Sequence, residues 1–331
     1  MEENKKISFK KLYFSKLRPM LEILEGDRKD IIKNKFFGTL CICAGAAVVL
    51  ILAYMDMIKS LAALMFIFFS FGIPALYLFY KSSKELALYK SEYKSKIISA
   101  LVKNIGDNLL YTQYAFVSRE RFLASNIFRY WIDRYNGDDY IFGNVGKTKI
   151  EFSEIHAEYK IEKDNGNGRK SEEWHDIFKG IFFVADFNKE FSACTVVFPD
   201  FAERRFGKFG QTLQSLGNQM TGSELVKLEN TEFEKYFAVF SYNQIEARYV
   251  LTPLVMEKLV EFRKKINREI YLSFNNSTMY LGVSFQEKLF EPSLWKTLLD
   301  LEPIENYYDI IKTIVELVNE LDLNTRIWTK E

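Results

Sequence analysis

Two stretches of twenty residues each, Phe36–Met55 and Leu61–Tyr80, carry no charged side chain, and only Asp56–Ser60 separates them. A helix that crosses the roughly 30 Å hydrocarbon core needs about 20 apolar residues. The five-residue link leaves room for a tight turn alone, so the pattern predicts a transmembrane helical hairpin. After Tyr80 the apolar positions continue in another rhythm. Leu86, Tyr89, Tyr93, Ile97, Leu101 and Ile105 recur at steps of three and four, the face of a helix, and extend the second span as a stalk as far as Gly106-Asp107-Asn108. Ser118 is the expected N-cap of a short helix carrying Phe122, Leu123, Ile127 and Phe128.

From about Tyr130 the period changes to two. Lys147–Glu162 and Asp176–Phe187 are rich in β-branched and aromatic residues, and the polar stretch Lys163–Glu172 between them contains Asn165-Gly166-Asn167-Gly168. That pattern predicts an antiparallel hairpin. A strand over Ala193–Phe198 ends at Pro199-Asp200, and Glu203–Ser223 holds four Gly. Further strands are expected at Glu224–Glu229, Tyr236–Ser241 and Ile245–Leu251. Thr252-Pro253 places an N-cap and an N1 proline ahead of a helix over Leu254–Lys265. Ile270–Phe274 and Met279–Phe285 flank a tight turn at Asn275-Asn276. Helices are expected at Pro292–Leu299 and Ile304–Leu321, the latter with Ile311, Ile314, Val315 and Val318 on one stripe.

The fold class that follows is α+β: a transmembrane helical hairpin, a helical stalk, and a cytoplasmic module of mostly antiparallel sheet with flanking helices. The expected divisions are a basic cytoplasmic tail over residues 1–35, the hairpin over 36–80, stalk and connecting helices over 81–129, and the α+β part over 130–331. The last is large enough for a real core, as one domain or as two closely packed lobes near 130–222 and 223–331.

Charge gives the hairpin a direction. The 35 residues before the first span hold ten Lys/Arg against six Asp/Glu, and Lys81–Lys103 holds six Lys against Glu85 and Glu92. The link has Lys59 beside Asp56. Basic flanks stay on the cytoplasmic side, so both termini are expected to be cytoplasmic, with only the link outside. Each collar is net +4, so a whole-chain charge of +1 leaves −7 on residues 104–331. Such collars gain about 1 kcal/mol per basic residue near an anionic leaflet. An acidic body without a basic stripe argues against nucleic acid as a partner. The largely polar residues before the first span argue for an uncleaved anchor rather than a secretory signal. Of three cysteines, Cys41 and Cys43 fall within the first span and Cys194 stands apart, so no disulfide framework is expected.

The candidate chemistry is sparse. Gly143-Asn144-Val145-Gly146-Lys147-Thr148 resembles the end of a phosphate-binding loop, and Gly180-Ile181-Phe182-Phe183-Val184-Ala185-Asp186 a strand ending in a magnesium-binding Asp. The first Gly of such a loop would fall at Ile141, and Lys149-Ile150-Glu151-Phe152 alternates like a strand where a helix is required. A glycine turn in a hairpin is the better reading. The two histidines are the strongest enzyme candidates. Glu154, His156, Glu158 and Lys160 share one face of a strand. With an odd index sum across the hairpin, His175 would join them, and His156, Glu158 and His175 could bind a metal or form an acid–base pair. No zinc-site spacing is present, so a polar outer face is favoured, with no cofactor and no catalytic residue assigned.

Arg204, Arg205, Phe206, Lys208 and Phe209 open a stretch in which Phe206, Phe209, Leu213, Leu216 and Met220 lie on one helical stripe. A short basic amphipathic helix of this kind can lie in the headgroup plane; the alternatives are a helix packed on the sheet, or a mobile loop given Gly207, Gly210 and Gly217. Cys41 and Gly45 make a small-xxx-small pair within the first span.

Several longer runs resemble a known family: Ile150-Glu151-Phe152-Ser153-Glu154-Ile155-His156-Ala157-Glu158-Tyr159, Phe178-Lys179-Gly180-Ile181-Phe182-Phe183-Val184-Ala185-Asp186-Phe187-Asn188, Glu232-Phe233-Glu234-Lys235-Tyr236-Phe237, Glu246-Ala247-Arg248-Tyr249, Phe290-Glu291-Pro292-Ser293-Leu294 and Leu323-Asn324-Thr325-Arg326-Ile327-Trp328. In these the chain is similar to an uncharacterised family of bacterial membrane proteins filed as a domain of unknown function. The resemblance covers the stalk and everything after it. It implies a bacterial two-pass protein, often encoded near LemA-type membrane proteins, and carries no activity, catalytic residue or cofactor. The resulting expectation is a membrane-anchored binding or scaffolding module whose partners are the lipid bilayer and a protein, with a LemA-type protein as the implied candidate. The alternative is a membrane-tethered metal-dependent enzyme using His156 and His175.

Overall fold

In the computed structural model, residues 9–55, 61–164, 170–186, 192–199 and 223–321 are described. The chain divides into two compact units, one of Met1–Ala100 with Glu291–Glu305 and one of Leu101–Phe290 with Asn306–Glu331.

The first unit is built on two long helices. Helix α1, Phe9–Tyr54, and helix α2, whose span candidate runs Leu64–Ile105, are both long and apolar enough to cross a membrane, and only 11% of each apolar window is buried. A core helix of a soluble protein would be mostly covered, so this exposure is what associates the unit with a membrane. The helices pair antiparallel. Gly38 meets the Phe79 ring, Gly45 meets Phe71, and the Asn34 amide donates to Glu85 at 2.8 Å. Along α1 the buried positions Leu17, Leu21, Leu24, Arg28, Ile31, Gly38 and Gly45 follow a seven-residue repeat. That is the spacing of a coiled-coil seam, and it runs from the polar extension into the apolar span. On α2, Ala75, Ser82 and Tyr89 keep the same repeat. At Gly45 an added Cβ would lie 3.0 Å from Phe71, so glycine is what lets an aromatic side chain pack against the α1 backbone. The expected stalk is present, since α2 stays helical to Ile105. Residues 9–35 are helical too and continue directly into the first span.

The second unit is organised around one sheet of nine strands. These are β1 Leu109–Thr112, β2 Arg134–Val145, β3 Thr148–Asp164, β4 Lys170–Asp186, β5 Thr195–Pro199, β6 Glu224–Val226, β7 Phe237–Ser241, β8 Ile270–Asn275 and β9 Thr278–Ser284. Their spatial order is β1-β2-β3-β4-β9-β8-β5-β7-β6, and every pairing is antiparallel. Because β9 and β8 sit between β4 and β5, both sequence halves feed one sheet. On one face Ile155, Ala157, Phe178, Phe182, Val196 and Phe198 pack with Phe122, Ile127 and Phe128. Those last three belong to helix α3, Arg119–Ala124, and the turn after it, and Ser118 caps α3 as expected by accepting from the Arg121 amide. Each buried side chain of this size contributes roughly 1.5–3 kcal/mol of burial.

Three local expectations are corrected. Ile245–Leu251 is not a strand: helix α5, Gln244–Val250, follows the short α4, Thr231–Glu234, and β7. The Asn243 side chain accepts from the Ile245 and Glu246 amides, an N-cap that outweighs the β-branched and aromatic composition. Pro292–Leu299 is not a helix; it has no regular structure. The β8–β9 turn is centred one residue later than expected, on Asn276 (φ 48°) and Ser277 (φ 56°), since Asn275 pairs with Thr278. The helix expected at Leu254–Lys265 is α6, Pro253–Ile266, and the terminal helix is α7, Leu301–Glu320. Two left-handed central residues define a type I′ turn, which suits Asn-Gly far better than Asn-Ser. Ser277→Gly is therefore expected to raise stability by about 0.5–1 kcal/mol, read as an upward shift of the thermal midpoint; an unchanged or lower midpoint would contradict the turn geometry.

Candidate functional site

The β2–β3 connection settles the glycine motif. Val145 pairs with Thr148, which leaves Gly146-Lys147 as a two-residue turn with Gly146 at φ 60°. No helix follows Lys147-Thr148, so the phosphate-loop resemblance has no structural counterpart.

The histidines separate. On the inner part of the β3–β4 hairpin the register pairs His156 with Lys179, but it shifts between Ala157 and Glu158, after which Glu158 faces Asp176 and Tyr159 faces His175. That bulge converts an odd index sum into an even one. His175 therefore shares a face with Tyr159, on which its ring stacks at 5.1 Å, and His156 lies on the other face. Sequence alone left the register open, and a single extra residue on β4 decides it.

On the His156 face a different group assembles. His156 Nε2 is 2.6 Å from Asp176 Oδ1 and 3.9 Å from Glu158 Oε1. Their ligand atoms lie within 4.8 Å of one another, so the geometry could hold a cation. Arg134 fills that role electrostatically: its guanidinium is 3.2 Å from Glu158 Oε2 and stacks 3.8 Å above the Trp174 ring. The group is a compensated ion network on a sheet face. A second acidic group, Asp138, Asp139 and Glu154, sits at the β2 bulge between Asp138 and Ile141. Asp139 is 1% exposed and accepts from the Tyr111 hydroxyl at 2.5 Å. Glu154 accepts from the Leu289 amide at 3.0 Å, so it holds loop backbone in place, while Asp139 ties β2 to β1 through Tyr111.

A further polar site lies in the first unit. The irregular segment Glu291–Asp300, here called the strap, is held by side chains of the two long helices. Arg28 donates to the Leu294 carbonyl at 2.8 Å, and Glu25 accepts from the Leu298 amide at 3.0 Å. Tyr89 donates to the Ser293 carbonyl at 3.0 Å and Tyr13 to that of Leu299 at 2.8 Å. Glu25 and Arg28 also pair with each other at 2.6 Å, with side chains only 7% and 10% exposed. Lys90 and Lys94 reach Glu291 at 2.8 and 3.1 Å, and Lys94 is only 2% exposed. The Arg28 hydrogen bond holds the Glu25 carboxyl below its usual range, outweighing the upward push of burial. Burial pushes Glu291 up as well, but its two lysines hold it down. Burial raises the Tyr89 hydroxyl far above its ordinary value, so at neutral pH it is a donor.

Sequence reasoning missed this seat. The signal was the charged pair Glu25 and Arg28, with Arg28 on the apolar heptad seam, a position that demands a buried partner. The strap's own residues include Glu291-Pro292-Ser293-Leu294, one of the runs that carried the family resemblance. Arg204, Arg205, Phe206, Lys208 and Phe209 lie outside the described residues.

Residues 176–323 match a family described as a protein of unknown function (DUF3137). No curated protein matches the chain. Among solved structures the chain is similar to the crystal structure of the mycobacterial trehalose monomycolate transport factor A, with 7% identity and a TM-score of 0.32 over 69% of this chain and 93% of that one. A likeness of that size bears on neither ligand nor activity.

Proposed function

We propose that this chain is a two-pass, membrane-anchored module that binds or scaffolds a protein or lipid partner at the inner face of a bacterial cytoplasmic membrane. The observation that carries the reading is the pair of long helices whose apolar windows are only 11% buried and whose basic ends flank the spans. Basic residues retained on the cytoplasmic side put both termini there. The sheet unit offers surface for a partner: Trp131 is 80% exposed and Tyr114 77%, and among the described residues β1 and β6 are the sheet's edge strands. A metal-dependent alternative would have to rest on His156, Glu158 and Asp176, because His156 and His175 do not share a face.

Alkaline phosphatase fused to the C-terminus is expected to be inactive in cells, and a fusion within Asp56–Ser60 active; the reverse pattern would overturn the topology. Crosslinking in cells followed by purification is expected to recover a stoichiometric protein, a LemA-type membrane protein being the first to test. Recovery of the chain alone would count against scaffolding.

A further inference from the structure

The strap's attachment points are ordered along the two helices. On α2, Glu291 is held from Lys90 and Lys94 and Ser293 from Tyr89, so the segment climbs toward the span. On α1, Leu294 is held from Arg28, Leu298 from Glu25 and Leu299 from Tyr13, so it then falls away from the span. The strap is an arch, and its summit is Ser293–Trp295.

The height of that summit follows from helix geometry. Arg28 is eight residues before Phe36 and Tyr89 nine residues after Tyr80. At 1.5 Å per residue the summit lies about 12–14 Å from the ends of the apolar runs, measured along the helices. The headgroup layer takes up roughly 5–8 Å of that distance. Side chains lean toward a helix N-terminus, so Tyr89 reaches toward the bilayer and Arg28 away from it. The strap is thus gripped from two directions just under the headgroups.

At the summit stands Trp295, 76% exposed. An indole left in water next to a bilayer gains by moving its ring into the interfacial layer, where tryptophan and tyrosine concentrate. Tyr80, 71% exposed, and Phe36, 63% exposed, already mark the span ends at that side. The charges suit anionic headgroups: Lys29, Lys33, Lys81, Lys84 and Lys296 are exposed around this level, against Asp27, Asp30 and a Glu85 that pairs with Lys81 at 3.7 Å.

Resting on the membrane reading above, we infer that the strap is an interfacial anchor: Tyr89, Arg28 and Glu25 hold it as an arch so that Trp295 inserts among the phospholipid headgroups of the bilayer that holds the hairpin. The anchor fixes a loop of the family-matched segment at a set depth.

The test uses the full chain reconstituted in phosphatidylethanolamine–phosphatidylglycerol vesicles, with nitroxide-labelled lipids as fluorescence quenchers. Headgroup nitroxide is expected to quench the wild type, and Trp295→Phe is expected to lose at least half of that quenching. A second variant, Phe69→Trp in the Trp295→Phe background, reports the span, and a nitroxide deep in the acyl chain is expected to quench it. Equal headgroup quenching with and without Trp295, together with deep quenching of the span probe, would overturn the anchor and leave the membrane reading standing. A span probe untouched by the deep nitroxide would overturn both.

Discussion

Gly180→Ala is expected to prevent the sheet unit from folding stably. Gly180 lies on β4, where it pairs with Ile155 of β3 and Ser284 of β9. Its φ is +150°, and an added Cβ would lie 2.0 Å from the Val283 carbonyl oxygen and 2.9 Å from the Phe285 nitrogen. Both obstacles are backbone, so no rotamer relieves them. An alanine forced into that conformation costs about 1–3 kcal/mol, and displacing the neighbouring strand costs a similar amount. The sum, roughly 2–6 kcal/mol, is a large fraction of the 5–15 kcal/mol typical of whole domains. The thermal midpoint of the full chain should fall by about 10 °C or more, or the cooperative transition should vanish. Gly26→Ala is the control: an added Cβ meets nothing within 4 Å there, and on a helix the change should be neutral or stabilising by up to about 1 kcal/mol. Gly180→Ala melting with the wild type would mean that β4 and β9 do not pair as described.

Breaking the Glu25–Arg28 pair is the second large effect. Arg28→Met leaves the buried Glu25 carboxylate without its guanidinium and the Leu294 carbonyl without its donor. Removal of one partner from a buried pair costs about 3–5 kcal/mol. Glu25→Leu with Arg28→Met should recover part of that loss, because no uncompensated charge remains; each orphaned backbone group still costs about 1–3 kcal/mol. Hydrogen exchange reads the site directly: the Leu298 amide, which donates to Glu25, should lose its protection in the double variant, where its acceptor is gone, and the single variant should weaken it less. If the single and double variants lose the same stability, the pair has no buried-charge role.

Acid should do what the substitution does. Glu25 is depressed from its ordinary value of 4.5 by the Arg28 hydrogen bond against the push of burial. Glu291 is depressed by Lys90 and Lys94 against burial of its own. A carboxylate depressed on folding contributes stability that is complete above its unfolded value and is lost as pH falls through the folded one. Protection of the strap amides should therefore hold from neutral pH down to about 4.5 and decline below it. A decline already at pH 6–7 would point to a group other than these carboxylates.

How much of the site could be read in advance depended on the range of the interaction. The caps Ser118 and Thr252 and the Gly146 turn are local devices, and each was legible because its partner lies within three residues. Asn243 was legible in principle, yet the aromatic and β-branched residues after it pointed to a strand and concealed the cap. The strap was not legible. Pro292–Leu299 has apolar residues at helical spacing, but its backbone groups are satisfied by Tyr13, Glu25, Arg28 and Tyr89, some two hundred or more residues earlier. The histidine pairing failed for a related reason: one bulge residue on β4 reverses which face every later side chain occupies.

The sequence by itself determined the two long apolar helices, the stalk that continues the second, and the alternation that makes an antiparallel α+β unit. All of these depend on the composition and period of contiguous residues, which solvent and bilayer sort without reference to the rest of the chain. Only the tertiary structure decided the insertion of β9 and β8 beside β4, the parting of His156 from His175, and the seating of the strap on Glu25 and Arg28. Each of those turns on which distant backbone groups meet, and a hydrogen-bond donor in sequence carries no record of the acceptor that folding will bring to it.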